Sequence, residues 1–346
     1  MDWLWIIPIL LLLVFVHELG HFVTAKLSGI TVREFGFGYP PRLFGITYKG
    51  TIYSLNLLPL GGFTRMEGED GSDAAAMHPG SFASKPKRVR TLVLAAGSLM
   101  NLILAPLLLM AVFMIGMPTP TGTVLISQVQ AGSPAAGAGF QSADAVTDIQ
   151  GHPVHSVQDF RDQTQFRLGQ PTTFTVVRDG QTKTLTLTPR QNPPEGQGSV
   201  GVAIRDQLVN KQYPIWTAFA LGVKEAAMTF AAIWIGLIQT IRGAIAPDFL
   251  GPVGIAAVTG QAAHLGPQYL LQFAAFLSLN LAILNLVPVP ALDGGRILFV
   301  AIEAVRGRRI DPQKEGIVHF IGMAILLLFV ALISYHDLLN MPRLSG

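Results

Sequence analysis

The chain has 346 residues, of which 50% are hydrophobic and only 13% charged, and this excludes an ordinary soluble domain, where about a quarter are charged. Its net charge of +3 comes with no basic helix, no cysteine-rich finger and no aromatic-basic interleaving, which excludes nucleic acid as a partner. With no cysteine, disulfides and thiolate metal sites are excluded, and His, Asp and Glu remain as the metal-ligand pool.

The first predicted element is an apolar helix from Leu4 to Ala25. No Lys or Arg precedes Lys26, so the segment lacks the basic start of a cleaved signal and reads as a retained membrane span. Near its end stands His17-Glu18-Leu19-Gly20-His21. Two histidines four apart on a helix face the same way and can share one zinc ion, and a glutamate beside the first can serve as general base. A helix rises 1.5 Å per residue, so His17 lies about 20 Å from Leu4. In a core roughly 30 Å thick, that leaves it within about 10 Å of the far edge, within reach of water. A polar cluster at that depth must face the interior and be paired or metallated.

From Tyr39 to Met66 the chain is apolar but not helical in pattern. Alternating and β-branched residues, with Gly45, Gly50, Gly61 and Gly62 as punctuation, predict short strands and turns. Two readings stand: a β-hairpin dipping into the membrane beside the first helix, or a small cytoplasmic sheet. A second span follows from Leu92 to Met117. It carries Gly97 and Asn101 four apart on one face with Ser98 alongside, a small face suited to close helix packing. Asn101 is either glue between helices or a donor to substrate backbone or a developing oxyanion.

Between Gly122 and Pro189 the chain turns polar and β-rich, with a hairpin signal at Asp179-Gly180 and a short helix within SPAAGAGFQSAD. Gln191 to Ser199 reads as a linker. Trp216 to Ile241 is apolar enough to span but is broken near its start by Lys224 and Glu225, and is either a fifth crossing or an amphipathic helix at the interface; four crossings are favoured because they put both basic loops on one side. Spans three and four run from Tyr269 to Val287 and from Ile317 to Ile333. Asn280 and Asn285 in the third either bind an extended peptide or pack. Asp293, in PVPALDGGRILF, is either the third metal ligand or an N-capping residue in a turn. His78, His319 and Glu303 are weaker rivals, and His264 and His336 fall on the far side.

The basic residues cluster between spans one and two (Lys26 to Arg90) and between three and four (Arg296 to Lys314). The positive-inside rule then places both loops in the cytoplasm, and both termini and the polar region outside. The expected fold is a polytopic α-helical membrane protein with about four transmembrane helices, a membrane-associated β-hairpin and one inserted extracytoplasmic domain. The expected division is residues 1–117 as an N-terminal membrane core, 118–192 as the outer domain, 193–268 as linker and interfacial helix, and 269–346 as the C-terminal core.

Taken together, HELGH at His17 to His21, LPLGGF at Leu58 to Phe63, PGSFASKPKRVRTLVLAAGSLMN at Pro79 to Asn101, FLGPVGIA at Phe249 to Ala256 and NLAILNLVPVPALDGGRILF at Asn280 to Phe299 resemble the site-2 protease family of intramembrane zinc metalloproteases. The resemblance covers nearly the whole chain and is closest to the bacterial sigma-E-protease-like branch. It implies one Zn2+ per chain on His17, His21 and Asp293, with Glu18 as catalytic base. It also implies that Asn101 handles substrate; Asn280, Asn285, Gly61 and Gly62 stand beside it as further candidates for substrate binding. It implies that the outer domain is PDZ-like, with a peptide or protein ligand. Expected partners are the lipid bilayer and single-span membrane proteins such as anti-sigma factors or remnant signal peptides. The expected location is the bacterial cytoplasmic (inner) membrane, with the active site near the cytoplasmic side. Ser98 stands where many relatives carry Pro, and Leu19 where Phe is frequent. There is room for one PDZ domain where the best-known enterobacterial relative has two. The alternatives are a metal or ion transporter built on the same residues, or a catalytically silent binding factor.

Overall fold

A computed structural model describes residues 2–69, 78–244 and 250–344. Phe249 of the FLGPVGIA motif and the extreme residues Met1 and Gly346, which the sequence reading places outside, lie beyond the described residues. The chain forms two compact units, Met1–Ile115 with Tyr213–Gly346, and Gly116–Gln212.

In the first unit a short 3-10 turn, Asp2–Trp5, leads into helix α1, Ile6–Leu27. Strands β1 (Val32–Tyr48) and β2 (Thr51–Met66) follow, then helix α2 (Lys87–Ile115). The strands form one long antiparallel hairpin rather than several short pieces. Its turn is Lys49-Gly50, where both residues have positive φ (46° and 77°), the pattern of a two-residue hairpin turn. Of the glycines read as punctuation only Gly50 sits at a turn. Gly45, Gly61 and Gly62 lie inside strands. Phe35 packs edge-on against Phe15 and beside Phe22 of α1, and the Thr64 hydroxyl donates to the Glu18 carbonyl at 3.1 Å. The base of the hairpin is thereby fixed to α1. Its far half exposes Leu43, Phe44, Ile46, Tyr48, Leu55, Leu57 and Leu58, a surface suited to lipid rather than water.

Helix α2 starts at Lys87 and ends before Gly116 (φ 111°), so Met117 belongs to the next strand and not to the span. Helices α1 and α2 touch through small residues. A Cβ on Gly20 would come within 2.7 Å of the Ala96 carbonyl carbon.

The second unit is a six-stranded antiparallel sheet. Its strands are β3 (Met117–Val129), β4 (Ala145–Ile149), β5 (His152–Pro153), β6 (Thr172–Arg178), β7 (Gln181–Leu187) and β8 (Val202–Lys211). They run in the order β7-β6-β4-β3-β8, with β5 paired to β4. Helices α3 (Pro134–Gly137) and α4 (Val157–Gln165) complete the unit, each N-capped by a serine, Ser133 and Ser156. The core gathers Val124, Ile126, Phe140, Val146, Ile149, Phe160, Phe174 and Val176. The β6–β7 turn is Asp179-Gly180, as the sequence predicts. Strand β8, which the sequence reading assigns to the linker and interfacial region, pairs along β3 and belongs to this sheet. Burial pushes the Asp144 carboxyl up, but two bonds from the Arg178 guanidinium and one from the Gln141 N–H outweigh it and hold the group below its ordinary range.

The chain returns to the first unit with α5 (Ile215–Ile241), α6 (Pro252–Leu265), α7 (Pro267–Leu286), α8 (Asp293–Arg306) and α9 (Pro312–Leu344). Five helical segments of the described residues are long and apolar enough to cross a bilayer: Asp2–Leu27, Lys87–Ile115, Ile215–Ile241, Pro267–Leu286 and Gln313–Asn340. The protein is therefore a multi-span helical membrane protein. Helix α5, the segment that the sequence leaves open between a crossing and an interfacial helix, is long and apolar enough to cross, since Lys224 and Glu225 do not interrupt the helix. It packs on α2 where Gly222 lies against the Pro106 carbonyl, with 2.7 Å between that oxygen and a would-be Cβ. Helix α6 is tied to α9 by the Gly254 N–H, which donates to buried Asp337 at 2.8 Å.

Candidate metal centre

His17 and His21 occupy the buried face of α1, one turn apart. Asp293 opens α8, directly after a tight loop, Val287 to Leu292. His17 Nε2 lies 3.1 Å from His21 Nε2 and 3.1 Å from Asp293 Oδ2, and His21 Nε2 lies 3.3 Å from the same oxygen. Zinc bonds of about 2.0–2.1 Å at tetrahedral angles put neighbouring donors roughly 3.3 Å apart. The three atoms already stand at that spacing. Among the described residues this is the group of His and acidic side chains placed to hold a metal ion.

The local chemistry fits a cation. His21 Nδ1–H donates to the Val93 carbonyl at 2.8 Å, which fixes its tautomer and turns the Nε2 lone pair toward Asp293. A lone pair and a carboxylate oxygen at that distance repel unless something positive lies between them. Asp293 Oδ2 is buried without a well-formed hydrogen bond, as expected for a ligand atom. Gly97 of α2 closes the other side. A Cβ there would stand 2.5 Å from His21 Nε2 and 2.6 Å from His17 Cε1. The small face read from the sequence thus does more than pack helices, because it forms the floor beneath both imidazoles.

Asp293 reaches the histidines because the loop before it folds back on the first turn of α8. A Cβ on Gly294 would come to 2.5 Å from the Leu286 carbonyl carbon, and one on Gly295 to 2.9 Å from that of Val289. Only glycines permit that return.

A cavity of about 260 Å³ adjoins the cluster. His17, Glu18, Gly62, Asn101, Asn285 and Asp293 line it together with Tyr39, Leu281 and Leu292. Asn101 is fully buried, and neither polar atom of its amide has a partner, while its backbone carbonyl accepts from the Ser278 hydroxyl. Gly62 leaves room for Glu18, whose Cγ lies 3.4 Å from where a Cβ would be.

Two expected residues are not brought in. Asn280 donates to the Phe276 carbonyl one turn back and does not line the cavity. Gly61 (φ 117°) faces the Tyr39 ring and Val14 instead. Of the rival ligands, His78 is engaged with Glu67 and Glu303 with Arg90, while the far-side histidines His264 and His336 are engaged with Asp2 and Asn340. Sequence reasoning did not find Tyr39, an aromatic before two prolines with no spacing signal. Nor did it find the Val93 carbonyl, since no residue type announces a backbone acceptor.

Curated relatives span almost the full length. The zinc metalloprotease RasP of Geobacillus kaustophilus is 32% identical, covering 94% of this chain and 95% of the relative. The protein of the same name from Bacillus licheniformis is 31% identical, with coverage of 94% and 96%. The regulator of sigma-W protease RasP of Bacillus subtilis is 30% identical, covering 94% and 95%. The model of Peptidase family M50 matches residues 5–329. That match takes in both halves of the metal cluster and nearly everything between the chain's ends, so the protein belongs to Peptidase family M50.

Proposed function

We propose that the protein binds one zinc ion through His17, His21 and Asp293 and hydrolyses peptide bonds in or beside the transmembrane segments of single-span membrane proteins. Family membership and the His-His-Asp cluster make it an intramembrane zinc metalloprotease. The observation that carries the finer reading is that His17 and Asp293 of the ligand cluster, Glu18 and the unpartnered Asn101 amide all line one cavity within apolar helices.

Zinc, when bound, polarises a carbonyl and acidifies a water. Glu18 takes the water's proton and returns one to the leaving amine. Asn101 offers a donor and an acceptor, already desolvated, to the extended substrate backbone or its developing oxyanion. Asn285 adds a second amide on the α7 side. Gly62 brings strand β2 close to Glu18, so an extended segment can lie there without a side chain in its way. Anti-sigma factors or remnant signal peptides fit this site as single-span substrates. The Bacillus subtilis relative is a regulator of sigma-W protease, which supports a role in sigma-factor signalling.

Reconstituted into vesicles with a single-span substrate, the protein is expected to cut within or next to the span. A zinc chelator should stop the reaction and added zinc restore it. Cleavage that continues unchanged after complete zinc removal would overturn the assignment.

Four crossings are favoured by the path of the chain. The Tyr213 N–H donates to the Phe113 carbonyl, so α5 begins beside the end of α2. Helix α6 lies against Trp3 at the start of α1, since a Cβ on Gly260 would be 3.3 Å from the Trp3 nitrogen. The chain is thus at one end of the helix bundle both before α5 and after it, which suits an interfacial α5. With the basic loops inside, the PDZ-like unit faces outward in the bacterial inner membrane. Single cysteines at Ser84, Thr182 and Gly346 test this in a chain that has none of its own. An impermeant thiol reagent outside should label the second and third and spare the first. Thr182 and Gly346 on opposite sides would rule out four crossings.

A further inference from the structure

His319 looked on sequence like a weak rival for the metal. The structure gives it another task. Its Nδ1 accepts the backbone N–H of Ala291 at 2.9 Å, two residues before Asp293. Ala291 has a φ of 81°, left-handed backbone that an alanine adopts only when its surroundings insist. Those surroundings are identifiable. On one side the loop is pressed against Gly294 and Gly295 of α8. On the other lies α9, where Gly322 meets Pro290 so closely that a Cβ would be 2.8 Å from the proline carbonyl oxygen. Gly322 follows His319 by three residues and lies on the same helical face.

The His319 ring is itself held. It packs at 5.4 Å from the Phe299 ring of α8, and its Nε2 lies 3.8 Å from Glu315 Oε1 one turn earlier on α9. With Nδ1 accepting, the ring proton sits on Nε2, which is buried and makes no hydrogen bond, the Glu315 carboxylate lying beyond bonding distance. One imidazole therefore joins α9, which supplies no ligand, to the loop that delivers the third ligand from α8.

We propose that His319 is a positioning residue of the metal centre. Its Nδ1 fixes the Ala291 peptide, and through it the direction in which Asp293 meets His17 and His21. This rests on the zinc reading above and extends it to a side chain that never touches the metal.

The test separates acceptor from bulk. In asparagine the Oδ1 atom falls near the place of Nδ1 in histidine, so His319→Asn keeps the acceptor. His319→Leu and His319→Ala remove it. Each full-length variant in detergent is titrated with zinc against a competing chelator, and the cobalt-substituted absorption spectrum is recorded. Loss of a group that orients a ligand typically weakens metal binding about 10–100-fold. His319→Leu and His319→Ala should show that loss with an altered cobalt band, while His319→Asn stays close to wild type in both. A general loosening of the fold would lower the amount of folded protein without changing the spectrum of the cobalt that is bound. The proposal is overturned if Leu and Ala keep wild-type zinc affinity and spectrum, or if Asn loses as much as they do. Failure of the wild type itself to bind zinc would instead sink the zinc reading.

Discussion

Glu18→Gln is expected to abolish proteolysis while leaving the metal in place. The substitution keeps the size of the side chain and removes only its ability to take a proton. General base catalysis contributes on the order of 10²–10⁴-fold, and no other carboxylate lining the cavity is free for the task, since Asp293 is committed to the metal cluster. Zinc content should be unchanged, because the ligand atoms come from His17, His21 and Asp293. Cleavage of a reconstituted single-span substrate and metal analysis of the same preparation make the measurement. A variant that keeps a tenth or more of the wild-type rate would remove Glu18 from the mechanism.

Gly97→Ala should be almost as damaging for a different reason. The new Cβ would stand 2.5 Å from His21 Nε2 and 2.6 Å from His17 Cε1, closer than such atoms can come. Backbone on α2 cannot give way, since α1 is pressed against it at Gly20 and Ala96. The imidazoles must rotate, and displacement of about 1 Å at a reacting centre costs on the order of 10²-fold in rate. Zinc affinity should fall with activity. Gly236→Ala on α5 is the control, because nothing lies within 4 Å of its Cβ position, and both properties should be untouched. Wild-type zinc affinity in Gly97→Ala would show that the helices are less constrained than they look.

The legible parts of this molecule were those set by short-range periodicity. His17 and His21 are four apart on a helix, and that alone puts their nitrogens on one face. The Asp179-Gly180 turn joins strands that alternate visibly. Asp293 was only half legible, because LDGG is also a good turn, and its role depends on a loop whose path is fixed by glycines packing on distant carbonyls. The hairpin misled through Gly45, Gly61 and Gly62. In a paired strand with aromatic neighbours such as Tyr39 and Phe63 a glycine can mark close approach, not an end. Strand β8 was hidden because its partner, β3, lies some eighty residues earlier, and pairing at that separation leaves no local trace. His319 shows the limit most plainly. Its residue type suggested a ligand, while its actual partner is a backbone N–H that sequence cannot display.

Helices α1 and α2 meet with no slack at Gly20 and Gly97. A pair in contact at that range cannot act as a door. Any incoming strand that wedged them apart would take His17 and His21 off their floor and dismantle the site it was trying to reach. The rest of the cavity wall is formed by Tyr39 and Gly62 of the hairpin and by Leu281 and Asn285 of α7, so a substrate segment has to come in past these residues and not between α1 and α2.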